Sequence, residues 1–342
     1  MRKFPTYLRI ALFFLCFGSA GSSWAQTAAA YTYARTTGAT FTSISGSGTT
    51  TSLGGNDDLI ESSVGIGFTF YFAGTAYTTV SISTNGWASL ANYTADALLD
   101  NTASIPGAGF LMLYWDDLTG TNAGNNVYYT TTGTSPNRVF TIEWSSWNTL
   151  NQPGNARKSN FQIKLYETSN VVQFCYGLFG TNTTTSTASI GIANSASDYK
   201  SLATVAATTA SSSTFTTTLA TWVANGSVFT FTPPCSGAPT CGTANATATT
   251  GCVPSYTSTL SLSGATTTNV AYQWQSSLTG ATWTNVAGAT NSTYAATVTA
   301  AIQYRCVLRC TYNASTGTSS ARSLAVPGPV VSFTTNGHPL QI

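Results

Sequence analysis

The one histidine of this chain is His338, near its end. A serine or cysteine nucleophile needs an imidazole base beside it, and histidine-ligated zinc needs several rings, so neither chemistry is expected. Carboxylates remain. Asp116, Asp117, Glu143 and Glu167 stand next to apolar strand patterns. Glycoside hydrolysis would need two of them roughly 5–10 Å apart across a cleft. Glu143 falls on the polar side of "RVFTIEW", and Glu167 ends a strand before Thr168-Ser169-Asn170. Each reads as a solvated surface acid, so no catalytic residue is assigned and no enzyme is expected.

The adjacent pair Asp116-Asp117 follows the apolar run "GFLMLYW" and would repel itself unless turned apart or neutralised. Thr119, Asn122, Asn125 and Asn126 follow in a glycine-broken loop rich in neutral oxygens. Calcium takes six to eight such ligands, which makes Asp116, Asp117 and Asn122 its expected partners. No other cofactor is implied. Exposed aromatics are the usual platforms for sugar rings; Trp147, Trp115 and Tyr114 are the candidates, with Asn148, Asn151 and Gln152 near Trp147 to bond hydroxyls.

The elements that would position these groups are strands. Hydrophobic residues are 42% of the chain and aromatic residues 12%, enough to build cores despite only 6% charged residues. Abundant Thr, Val, Tyr, Phe and Trp favour pleated surfaces. In "RVFTIEW", Phe140, Ile142 and Trp144 share one face. In "TAYTTVSISTNGWASL", Asn85-Gly86 suits a two-residue turn, which pairs Thr84 with Trp87 and Ile82 with Ser89. That register turns Trp87 to the core side beside Ile82 and Val80. Residues 203–220, rich in Thr, Ser and Ala, read as a long loop or a frayed edge strand.

At the start, Arg2, Lys3 and Arg9 precede the apolar "IALFFLCF" and the small-residue site Ser23-Trp24-Ala25. This is the pattern of a secretory signal over residues 1–25, too short to span a bilayer. Its loss leaves 9 basic against 10 acidic residues. So even a balance gives no electrostatic reason to bind nucleic acid or anionic lipid. "TFTPPCSGAPTCG" then marks a boundary, giving a large β-sandwich over 26–234, a small one over 235–327 and a tail over 328–342.

Six cysteines follow the signal: Cys175, Cys235, Cys241, Cys252, Cys306 and Cys310. Export predicts disulfides among them. Cys252 with Cys310 is the expected first bridge, leaving Cys306 to Cys235 or Cys241, with Cys175 free. In the small domain, Trp274 has the look of the buried tryptophan of an immunoglobulin-type sandwich. Tyr304 stands two residues before Cys306, the spacing of a tyrosine corner.

"GIGFTFYFAGTAYTTVSISTNGWASL", "GFLMLYWDDLTG", "NVYYTTTGTSPNRVFTIEWSSW" and "NFQIKLYETSNVVQFCYG" together resemble a secreted surface domain common in Bacteroidota proteins exported by the type IX system. Their order is also similar to nidogen-type extracellular domains, with an Asn-Gly hairpin, a Trp-x-Asp turn and an "FQ" strand. The resemblance spans Tyr31 to Pro234. "YQWQSS…TWTNVAGATNSTY…YRCVLRC" is similar to the Ig-like modules that follow such domains. Members usually continue into a C-terminal sorting domain, for which the closing "VVSFTTNGHPLQI" is too short.

The resemblance implies an all-β chain, a jelly-roll or nidogen-like sandwich followed by an Ig-like one, at the cell surface. The expected function is non-catalytic binding or adhesion, with a glycan or an extracellular protein as partner. The alternatives are a carbohydrate-binding module serving polysaccharide degradation, and a matrix component self-associating through edge strands.

Overall fold

The computed structural model describes residues 26–94, 100–102, 105, 107–121, 124–149, 158–178, 187–235 and 237–327. The expected signal segment, the tail with His338, and Asn122, Asn151 and Gln152 lie outside them. The described chain is all-β, and every strand ladder is antiparallel. Residues 203–220 form a loop tied down by single bridges, Ser201 to Ser211 and Ala188 to Leu219.

Two large sheets face each other. One runs Thr32–Thr36, Val228–Thr232, Val172–Tyr176, Ser159–Tyr166, Val139–Thr149, Asn126–Thr132 and Thr49–Thr50, with Leu118–Thr119 added beside Val139–Thr149. The other runs Asp198–Ser201, Ser189–Ser195, Phe110–Trp115, Trp87–Ser89, Thr75–Ser83 and Ile60–Phe72. Period-2 alternation delivers Phe140, Ile142 and Trp144 from the first sheet and Ile66, Phe68 and Phe70 from the second into one buried core.

The six-stranded sheet is apolar on its outer face too, where Trp87, Phe110, Met112, Trp115 and Tyr199 form a second cluster. Trp87 fills a core as expected, but a different one. Ile82 pairs with Ala88 rather than with the expected Ser89, so Thr84, Asn85 and Gly86 all lie in the loop. Gly86 alone of the three has positive φ, at +71°. A three-residue loop ending in a left-handed glycine shifts the register by one residue, and one residue flips a side chain to the other face.

The small domain packs the strands Thr243–Ala246, Tyr256–Ser263 and Tyr294–Val298 against a five-stranded sheet that contains Val270–Ser277 and Ile302–Cys310. Trp274, Leu260, Val298, Cys306 and Leu308 are in its core. Cys310 and Tyr312, beyond that core, join the core of the large domain. The Tyr312 ring meets Tyr31 edge-on at 6.0 Å, and Asn313 donates to the Thr168 carbonyl at 3.3 Å.

The disulfide joins Cys235 to Cys310, with Cα atoms 6.0 Å apart. The expected Cys252–Cys310 bridge is thereby corrected. Thr250 bridges Ala325, next to Leu324, which pairs with Ile302; Cys252 therefore lies near the Ile302 end of a strand whose far end is Cys310. At ~3.3 Å per residue the two ends are about 26 Å apart, beyond the reach of any disulfide. Cys252 is exposed with a free thiol; Cys175, Cys241 and Cys306 are free thiols and buried.

Candidate functional site

The Asn-Gly hairpin organises one end of the large sandwich. The Asn85 amide oxygen accepts from the Leu118 N–H at 2.9 Å, and its nitrogen donates to the Asp58 carboxylate at 3.1 Å. Gly55 N–H donates to the Gly120 carbonyl, and Gly120 N–H to that of Asn56. Two loops distant in sequence are thus laid side by side. The consequence is a trio, Asp57, Asp58 and Asp117, with one oxygen of each within 4.8 Å of the others.

Burial first, then the charges of Asp57, Asp58, Asp116 and Asp100, push the Asp117 carboxyl up to about 6. Burial also raises Asp57, against a hydrogen bond from Thr119 that lowers it, and its Oδ1 is buried without a partner. Such a trio has the chemistry to hold a divalent cation. Of the two acids expected to do so, only Asp117 is in it. Asp116 turns away to accept from the Thr187 N–H at 3.2 Å and hydroxyl at 3.1 Å. Asp57 and Asp58 were missed because the sequence gives no sign that their loop crosses to Asp117.

The aromatic candidates are not platforms. Tyr114, Trp115 and Trp147 are each 0% exposed. Tyr114 stacks on Trp222 at 5.4 Å, and Trp115 meets Phe110 edge-on at 5.1 Å. Trp147 owes its burial to a bulge. Phe161 pairs with Trp144 but Ser159 pairs with Trp147, so the Val139–Thr149 strand carries an extra residue there. Ser146 takes a φ of +60°, and its N–H donates to the Asn160 side chain at 2.7 Å. The insertion resets the alternation, and Trp144 and Trp147, three residues apart, both point inward. Their indoles donate to successive hairpin carbonyls, Trp144 to Ser83 at 2.9 Å and Trp147 to Thr84 at 2.7 Å.

Glu143 is not solvated: it is 0% exposed. It accepts from the Ser43 hydroxyl and the Ile44 N–H, each at 2.6 Å, and from the Gln162 amide at 2.8 Å. Glu167 is paired with Arg138 at 2.6 Å, and that guanidinium holds its carboxyl down at about 2. Gln162 pairs with Glu143 and Tyr166 with Val139, so Glu143 and Glu167 are about five strand residues apart, roughly 16 Å. That separation is too wide for the two-carboxylate geometry of a glycosidase.

The same bonds to Glu143 pin a covering segment, residues 39–45, across the outer face of the eight-stranded sheet. Ala39 N–H donates to the Gly226 carbonyl at 2.9 Å, and Gln162 donates to the Thr42 carbonyl at 2.8 Å. Beside the segment is a half-open groove of about 140 Å³, lined by Phe41, Gln162, Lys164, Gln173, Cys175 and Ser227 among others.

Gln162 and Ser227 are both 0% exposed. The Gln162 nitrogen faces two acceptors, Thr42 and Glu143, which fixes the amide orientation and leaves its oxygen as an acceptor. That oxygen and the Ser227 hydroxyl are buried with no partner. Burial raises the Cys175 thiol, and the nearby Lys164 charge opposes this. Among the described residues the one ion pair is Arg138–Glu167, so Lys164 faces the groove without a carboxylate partner. Sequence reasoning missed this groove: its floor reads as the ordinary polar side of three strands.

Residues 30–233 match the family model described as NIDO related. Residues 240–327 match a domain of unknown function, DUF8696. No curated protein matches the chain.

Proposed function

We propose, for a chain that belongs to the NIDO-related family, a non-catalytic extracellular binding function in which the groove beside residues 39–45 takes a hydroxyl-rich ligand, the end residue of a glycan. The observation that carries it is the pair of orphaned polar atoms on Gln162 and Ser227 in the groove wall. A buried acceptor without a donor costs roughly 1–3 kcal/mol, and a sugar hydroxyl would satisfy it once the cover over these two closed-off atoms shifts aside. The Ser227 hydroxyl can give or take a second bond, the Lys164 ammonium suits a sugar carboxylate, and Phe41 offers an apolar edge.

A non-catalytic role is supported by what the candidate acids already do: Glu143 anchors a segment, Glu167 pairs with Arg138, and Asp116 holds Thr187. The signal pattern of residues 1–25 and the Cys235–Cys310 bridge support export. The small domain serves as an Ig-like spacer, in keeping with its buried Trp274 and with Tyr304 two residues before Cys306. A calcium ion held by Asp57, Asp58 and Asp117 would brace the hairpin end, a role favoured by the unpartnered Asp57 Oδ1.

The test is a glycan and matrix-protein array probed with residues 26–327, with calcium and again with chelator. Binding of acidic or neutral glycans is expected. Ser227→Ala and Lys164→Ala should each weaken it at least tenfold while leaving the fold intact. Equal binding by both variants would move recognition away from the groove. A wild-type protein that binds nothing on the array would remove the glycan reading altogether.

A further inference from the structure

Two buried thiols remain in the core of the small domain, Cys241 and Cys306. The backbone around them shows how closely they are brought together. The chain at Gly242 runs beside Ser319 and Ser320: Ser320 N–H donates to the Gly242 carbonyl at 3.3 Å, and Ala244 N–H to the Ser320 hydroxyl at 3.3 Å. Ser319 in turn faces Cys306, whose N–H donates to the Ser319 hydroxyl at 2.9 Å while its carbonyl accepts from the Ser319 N–H at 2.9 Å.

Gly317 locates the Cys241 sulfur. It pairs with Leu308, a core residue two positions from Cys306 and on the same face. A Cβ on Gly317 would point to that face and come within 2.8 Å of the Cys241 Sγ. The sulfur therefore lies on the inner face beside Leu308, on the same side of the strand as Cys306 and two residues along it. With Cys310 taken by Cys235, neither thiol has another cysteine in its core.

We infer that Cys241 and Cys306 form a second disulfide in the exported protein. The two bridges would then tie Cys235 to Cys310 and Cys241 to Cys306, in opposite order along the two segments. The junction between the domains becomes a double staple. Oxidation belongs to folding, because burial raises the Cys306 thiol to about 11 and leaves little thiolate once the core has closed. The oxidant is a disulfide of the thiol–disulfide oxidase class. One cysteine thiolate attacks it to form a mixed disulfide, and the second thiolate displaces the oxidant's sulfur. Two thiol protons are released, the Cys241–Cys306 bond forms, and the oxidant's disulfide is reduced to two thiols.

The experiment is alkylation of the denatured, unreduced protein after export through an oxidising compartment, followed by peptide mapping without reductant. Two labelled thiols, Cys175 and Cys252, and a peptide joining Cys241 to Cys306 are expected. Cys306→Ser should raise the number of labelled thiols to three by freeing Cys241 and leave the Cys235–Cys310 peptide in place. Four labelled thiols in the wild type would overturn the inference, and so would either cysteine joined to Cys252.

Discussion

The Trp147 indole N–H donates to the Thr84 carbonyl at 2.7 Å, so a side chain of one sheet holds the hairpin tip of the other. Gly120 lies against the same ring: a Cβ there would come within 2.2 Å of it. Trp147→Phe keeps most of the apolar volume but orphans the carbonyl, and should cost about 1–3 kcal/mol. Trp147→Ala adds a cavity and should cost about 3–5 kcal/mol. Urea denaturation would measure both. A Trp147→Phe variant as stable as the wild type would mean the indole bond contributes nothing.

Glu143 is the anchor of the covering segment. Glu143→Gln replaces one acceptor oxygen with an N–H donor, while all three of its partners, Ser43, Ile44 and Gln162, donate to it. The Ser43 hydroxyl can turn to accept from that N–H, so the contacts can be kept, but three charge-assisted bonds become neutral ones and a loss of about 1–3 kcal/mol is expected. Hydrogen exchange should localise the loosening to residues 39–45. Uniform exchange along the domain would show that the segment does not depend on this carboxylate.

How much of this was legible follows from the range of the interactions. The inward face of Phe140, Ile142 and Trp144 could be read because alternation is local. The face of Trp87 could not, since two-residue and three-residue loops share the Asn-Gly signal and differ by one step in register. Trp147 defeated the pattern through a bulge fixed by Asn160, on the neighbouring strand. Glu143 looked solvated because its cover comes from about a hundred residues earlier in the chain. The Asp57, Asp58 and Asp117 trio was hidden for the same reason, whereas Asp117 itself stood out as half of an acidic pair.

Gly86 and Gly55 make an internal comparison within the hairpin end. Both have positive φ, +71° and +79°. A Cβ on Gly86 would sit 2.2 Å from the Tyr114 carbonyl oxygen, whereas one on Gly55 meets nothing within 4 Å. Gly55→Ala should therefore cost only the left-handed conformation, about 1–2 kcal/mol. Gly86→Ala should cost clearly more, because the hairpin must also retreat from the Phe110–Trp115 strand. Similar denaturation midpoints for the two variants would refute the steric part of this account.

Acid titration separates the hairpin end from the rest. Asp117 has its carboxyl raised from 3.8 to about 6, so the folded state takes up a proton there that the unfolded chain does not. Its contribution is therefore most favourable at low pH and is lost as pH rises through about 6. Glu167 runs the other way: lowered from 4.5 to about 2, it favours folding above 4.5 and loses that as pH falls toward 2. Between pH 5 and 7 only the first effect changes. Asp117→Asn removes the cost of burying a charge there and the repulsion from Asp57, Asp58, Asp116 and Asp100, so the variant should melt higher than the wild type at pH 7. Its advantage should shrink toward pH 5 as the wild-type carboxyl protonates. Millimolar calcium at pH 7 should narrow the same gap, since a divalent cation relieves three carboxylates better than two and an amide. A gap that is the same at both pH values would show that the Asp117 charge is neither buried at a cost nor repelled, and a gap unmoved by calcium would show that the trio holds no cation.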